Sequence, residues 1–146
     1  MKKYSSILFI ILLTGCNFNT VYKNREQDKQ DAEKITQKFY SIIKKGNTKE
    51  VLPLFSQDFF KVTNKDKFLE LFEKTNNVYG KILNDSLVHW ETLVIKGNNP
   101  KSEYLLVYYA KRENIDSQEY ITLHNEKKGI KIFEYRINVD TLSKKK

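Results

Sequence analysis

One cysteine, two prolines and five glycines are spread over 146 residues. A single cysteine excludes an intramolecular disulfide, a cysteine-rich zinc site and a CxxC redox pair. So little glycine and proline excludes collagen-like and low-complexity architectures. Histidine is nearly absent too, with only His89 and His124. Apolar runs are short, and the longest near the N-terminus is Ile7 to Leu13. As a helix it would span about 10 Å, against a hydrocarbon core of roughly 30 Å, so it is too short to cross a bilayer. What the chain does have is 40% hydrophobic and 30% charged residues, with nine Tyr and nine Phe. That composition suits one soluble globular domain with ample core material and is too short for two.

The short apolar run has a specific context. Lys2 and Lys3 precede it as a basic n-region, and Leu13-Thr14-Gly15-Cys16 follows it. The order is that of a secretory signal peptide. The four residues resemble the bacterial lipobox, in which a Leu three before the Cys and small residues just before it precede an acylated Cys. The resemblance implies that the Cys16 thiol receives diacylglycerol and that a dedicated peptidase cuts between Gly15 and Cys16, leaving residues 16–146. The plainer alternative is a secreted protein with a stray Cys in its leader. Two acyl chains, at about 0.8 kcal/mol per buried CH₂, would anchor the chain stably in a bilayer. Inner and outer membrane both stay open as addresses.

Downstream, residues 17–27 are polar and aperiodic and are predicted to be a tether, reaching at most about 35–40 Å when extended. A first helix is predicted over Asp28 to Lys45, with Ala32, Ile35, Phe39, Ile42 and Ile43 on one stripe and Gly46 as its stop. Asn47-Thr48-Lys49-Glu50 reads as a capping box opening a short second helix that Pro53 limits. Ser56 to Lys61 reads as a connector whose Phe59 and Phe60 plug the core. A third helix, capped by Thr63 or Asn64, is predicted to run to about Asn76. After Gly80 the period changes. Four strands are predicted, near 81–95, 103–112, 118–125 and 130–139, separated by turn signals. Residues 141–146 form a basic tail.

Helices first and strands second predict an α+β domain over 28–140, with three N-terminal helices packed on a four-stranded antiparallel meander. The helix bearing Phe39-Tyr40 and ending at Lys45-Gly46-Asn47, the Leu54-Phe55-Ser56 segment, Gly80-Lys81-Ile82 and the last strand from Gly129 to Asn138 resemble the NTF2-like, cystatin-like roll of small bacterial lipoproteins. That resemblance implies a curved sheet wrapped around the first helix, often with a pocket between them, and frequent dimers. The last strand lacks the Trp common after its Gly. The roll hosts enzymes, ligand binders and partner-binding modules alike, so it implies no activity.

No catalytic constellation emerges. A zinc site needs three or four ligands, and the two histidines have no carboxylate at a suitable spacing, so no metal is expected. No GxSxG is present, and Ser56 has no predicted His neighbour. Glu134 and Arg136 share one strand face, as a solvated pair or as a handle for a polar ligand. Most aromatics read as core. If a pocket lies between sheet and first helix, Tyr40, Trp90, Tyr109 and Tyr135 are its candidate lining.

Net charge is +8 over the whole chain; loss of Lys2 and Lys3 with the leader leaves 24 basic against 18 acidic residues. The lysine clusters sit in turns and ends, not in a basic stripe with interleaved aromatics, so no nucleic acid is expected. Attraction to anionic headgroups fits them better. The sequence therefore points to a lipoprotein of the cell envelope, bound to a membrane outside the cytoplasm through Cys16. Its domain would bind an envelope protein or a small ligand without catalysis or cofactor. A homodimer is left open. The alternative is an enzyme or small-molecule carrier using the pocket between the sheet and the first helix.

Overall fold

The computed structural model describes residues 19–139. Leu13, Thr14, Gly15, Cys16 and the basic tail 141–146 lie outside the described residues. The elements run β1 (Thr20–Lys23), α1 (Glu26–Lys44), a 3₁₀ helix (Thr48–Leu54), α2 (Gln57–Val62), α3 (Lys65–Tyr79), β2 (Ile82–Lys96), β3 (Lys101–Arg112), β4 (Ser117–Glu126) and β5 (Gly129–Val139). The α+β class and the antiparallel meander agree with the sequence reading. Among the described residues the sheet has five strands, not four, in the order β1-β2-β3-β4-β5.

The extra strand corrects the predicted tether. Thr20–Lys23 pairs antiparallel with Lys96–Leu93, so residues 20–23 of the predicted tether are part of the sheet. A four-residue strand is too short to carry a periodic signal, and its pairing partner lies about 70 residues away. Helix α1 then starts at Glu26. The Arg25 guanidinium, at its N-cap, grips the Asp28 carboxylate with two 2.7 Å hydrogen bonds. Its far end stops where Gly46, at φ 79°, turns the chain left-handed.

Two further expectations change. Asn47 makes no side-chain capping bond, so the anticipated capping box does not form, and its backbone (φ −88°, ψ 52°) lies outside the extended N-cap geometry. The segment winds as a 3₁₀ helix with Pro53 inside it. The expected connector 56–61 is helix α2, capped by Ser56 Oγ, which accepts from the Phe59 N–H at 2.9 Å. Asn64 caps α3 by accepting from the Asp66 and Lys67 N–H groups, and α3 runs on to Tyr79, about a turn past the predicted end.

Along the strands, alternate residues face the helices. Tyr104, Leu106, Tyr108 and Ala110 of β3, and Ile121 and Leu123 of β4, join Ala32, Phe39, Tyr40 and Ile43 of α1 in one core. Phe39 lies at the aromatic centre, with ring contacts to Tyr40, Phe55, Phe72 and Tyr135 at 5.1–6.0 Å. Each such ring contributes roughly 1.5–3 kcal/mol by burial. Register shifts near Leu83, Val88 and Phe133 bulge β2 and β5, and bulges bend strands. All three residues are exposed.

Candidate functional site

The inward face of the sheet is not wholly apolar. Continuing the β3 alternation past Ala110 places Arg112 inside, and the β4 alternation places Ser117 and Glu119 inside. All three are buried, Glu119 completely. A buried carboxylate is costly unless its acceptor positions are filled. Here they are. Oε1 accepts from Arg112 Nη2 at 2.7 Å and from the Ser117 hydroxyl at 2.9 Å. Oε2 accepts from the Tyr40 hydroxyl at 2.9 Å and the Tyr135 hydroxyl at 2.8 Å.

Arg112 is satisfied in turn. Its Nε donates to Ser117 Oγ at 3.0 Å, and its Nη1 donates to the Gly80 carbonyl at 3.1 Å and more weakly to Asn76 Oδ1 at 3.5 Å. The network therefore ties α1, the end of α3, β3, β4 and β5 together. Burial, and then the Glu119 carboxylate, push the Tyr40 and Tyr135 phenols well above their ordinary range. Nearby, Tyr108 shares a 2.6 Å hydrogen bond with Thr36 and is pushed up to about 12 by burial.

The four candidate pocket residues do not form one pocket. Tyr40 and Tyr135 converge on Glu119. Trp90 pairs with Leu106, so it shares the inner face, but it sits near the start of α1, where Lys29 Nζ lies 5.6 Å from its ring centre. Tyr109 faces the opposite side of the sheet, 46% exposed, and its hydroxyl donates to Asp116. The one-residue ambiguity of strand register is what misplaced Tyr109. The centre of the space between sheet and α1 is filled by Phe39, Tyr40 and Tyr108, and what stays open there is a groove of about 400 Å³ at the α1–β2 margin, lined by Tyr40, Ser41, Lys44, Lys45 and Asp85.

Glu134 and Arg136 are exposed on the outer face, and the Arg136 guanidinium lies 4.6 Å from the Tyr120 ring centre. His89 pairs with Glu91 at 3.0 Å, and His124 stacks on Phe133 at 4.2 Å. Among the described residues no three His, Cys, Asp or Glu side chains group as metal ligands.

Sequence reasoning missed Glu119, Arg112 and Ser117. A usable signal was there: Ser117, Glu119, Ile121 and Leu123 repeat at period two, which puts the acid on the core face.

Two of the grooves open to solvent among the described residues carry apolar walls. One, of about 400 Å³, runs between α3 and β5 and is walled by Leu71, Val78, Tyr135, Ile137 and Val139. Strand β5 is a sheet edge. The Ser56 N–H covers the Ile132 carbonyl at 2.9 Å, whereas no strand pairs with the outer edge of residues 134–139 among the described residues. The second groove, about 630 Å³, lies between the 3₁₀ helix, α2 and the β4–β5 turn. Its wall includes Leu52, Pro53 and Phe60, and its rim carries Lys65, Lys127, Lys128 and Lys131. Comparisons with protein-family models, curated proteins and solved structures give no match.

Proposed function

We propose that this chain is a lipoprotein of the bacterial cell envelope, held through acylated Cys16 to a membrane outside the cytoplasm, and that its domain binds another protein without catalysing a reaction. The lipobox resemblance supports the anchor, and the α+β arrangement is compatible with an NTF2-like roll. The observation that carries the non-enzymatic part is the saturation of Glu119. A carboxylate has about four acceptor positions. Four protein donors fill them, the residue is fully buried, and a group so enclosed has no position left for a substrate proton. This weighs against the alternative of an enzyme or small-molecule carrier working between sheet and α1.

The α3–β5 groove suits a binding role better. A free strand edge offers backbone donors and acceptors, and an adjacent apolar wall offers side-chain pockets; together they fit an extended segment of an envelope protein. Leu71 and Val78 are 44% and 59% exposed there. A photocrosslinking residue at Val78 in intact membranes tests the reading, with exposed Val88 on β2 as the control. The expected result is an adduct of discrete mass at Val78 and none at Val88. An adduct of dimer mass assigns the groove to a second copy. Absence of any adduct at Val78, or equal adducts at both sites, contradicts the proposal.

A further inference from the structure

We infer that the end of the sheet bearing the β2–β3 and β4–β5 turns docks on an anionic lipid surface; this rests on the anchoring proposed above. Strand register brings the relevant groups to one end. Thr20 pairs with Lys96, Ile95 with Lys101, Glu103 with His124, and Glu126 with Gly129. The start of β1 and both turns thus share that end, and Asn19 accepts a hydrogen bond from the Asn98 N–H at 3.1 Å. Cys16 lies four residues before Thr20, a span of at most about 14 Å. A bilayer holding Cys16 therefore faces this end of the sheet and not the other.

Charge matches that placement. Lys65, Lys96, Lys101, Lys127, Lys128 and Lys131 gather here against Glu103 and Glu126. Lys101 is paired with Glu103, and Lys131 donates to the Pro53 carbonyl, but Lys127 and Lys128 make no ion pair among the described residues. The opposite end is mixed in charge, with Lys81 and Lys111 beside its acids. Its β3–β4 turn carries Glu113 and Asp116, which accept from backbone N–H groups of Lys81 and Arg112. The basic groove adds apolar surface beside its lysines. Val62, 88% exposed, lies in the α2–α3 corner between Phe60 and Lys65, both of which line that groove. Lysine ammonium groups over an apolar wall match a phosphate headgroup above its first methylenes.

The test uses the full lipidated chain in vesicles of phosphatidylcholine alone, or with about 30% phosphatidylglycerol. With Cys16 acylated, an engineered cysteine is the only free thiol. One variant carries it at Asn99 in the β2–β3 turn, another at Asn114 in the β3–β4 turn, each labelled with a donor fluorophore against a headgroup acceptor. Twelve-residue β3 separates the two turns by about 35–40 Å. In anionic vesicles, energy transfer from position 99 should exceed that from position 114 by about twofold or more, as that separation requires. Lys127→Glu with Lys128→Glu should reduce the difference to its value in neutral vesicles, with thermal unfolding unchanged. Val62→Glu should reduce it in part. Equal transfer from both positions, or insensitivity to charge reversal, overturns the inference. So does loss of the difference to excess soluble polyanion with no dependence on phosphatidylglycerol, which would assign the face to an envelope polymer. Flotation with vesicles in about 0.5 M NaCl reads the anchor separately. If the anchor fails, flotation with anionic vesicles at low salt, lost on charge reversal, still decides the docking.

Discussion

Removing the Arg112 side chain tests the reading of the polar centre most sharply. In Arg112→Met the guanidinium leaves, and fully buried Glu119 loses its counter-charge along with a 2.7 Å hydrogen bond. The Gly80 carbonyl and Ser117 lose donors as well. Breaking one partner of a buried pair costs about 3–5 kcal/mol. Counting the hydrogen bonds gives a similar figure, about 1.5–3 kcal/mol for the charged one and about 1 kcal/mol for each neutral one. For a domain of this size that corresponds to a fall in Tm of roughly 10–25 °C. Glu119→Gln should cost a comparable amount, because an amide NH₂ must then face either Arg112 or two phenol donors. The double variant should cost only about 2–3 kcal/mol, since the new amide oxygen can still accept from the two tyrosines with no charge left buried. Urea unfolding followed by far-UV circular dichroism and by the fluorescence of Trp90, the sole tryptophan, measures all four corners of the cycle. Single losses below about 1 kcal/mol, or a double loss equal to the sum of the singles, would refute the argument.

Other outcomes follow from the same geometry. Tyr40, Tyr108 and Tyr135 are held above their ordinary range, so the native state keeps protons that the unfolded chain releases above about pH 10. Their stabilising contribution is complete below that pH and is lost as pH rises through the folded values, by up to about 4 kcal/mol per pH unit for three groups. Phenolate absorbance should therefore show a fraction of the tyrosines titrating only together with unfolding, and a smooth titration of every tyrosine near pH 10 would contradict it. Gly80→Ala should destabilise by more than Gly46→Ala, although both glycines have positive φ. A Cβ at Gly80 would lie 2.6 Å from Glu113 Cβ and 2.9 Å from the Asn114 nitrogen, whereas Gly46 has open space. The shared backbone strain is about 1–3 kcal/mol, so the difference between the two melts reads the steric part alone.

Long periodic elements were legible in the sequence, and short ones were not. The stripe of Ala32, Ile35, Phe39, Ile42 and Ile43 announces α1, and the turn signals around Gly97 and Gly129 bound the strands that follow. Strand β1 owes its existence to β2, because its four residues are extended only through the ladder they join. Helix α2 is too short for an amphipathic period and shows itself only by the Ser56 cap. At the candidate site, Tyr40 and Tyr135 were found as polar-tipped aromatics, while the acid they share was overlooked. An isolated glutamate in a strand normally faces water, and only the cation, hydroxyl and phenols supplied by β3, β4, α1 and β5 make an inward Glu119 tolerable. Those partners lie 2 to 79 residues from it in sequence.

The most direct measurement is the covalent state of the N-terminus. Mass spectrometry of protein extracted from bacterial membranes should find a chain that begins at Cys16, carries a diacylglyceryl thioether and lacks residues 1–15. A chain that retains Met1 and an unmodified Cys16 thiol would contradict the account.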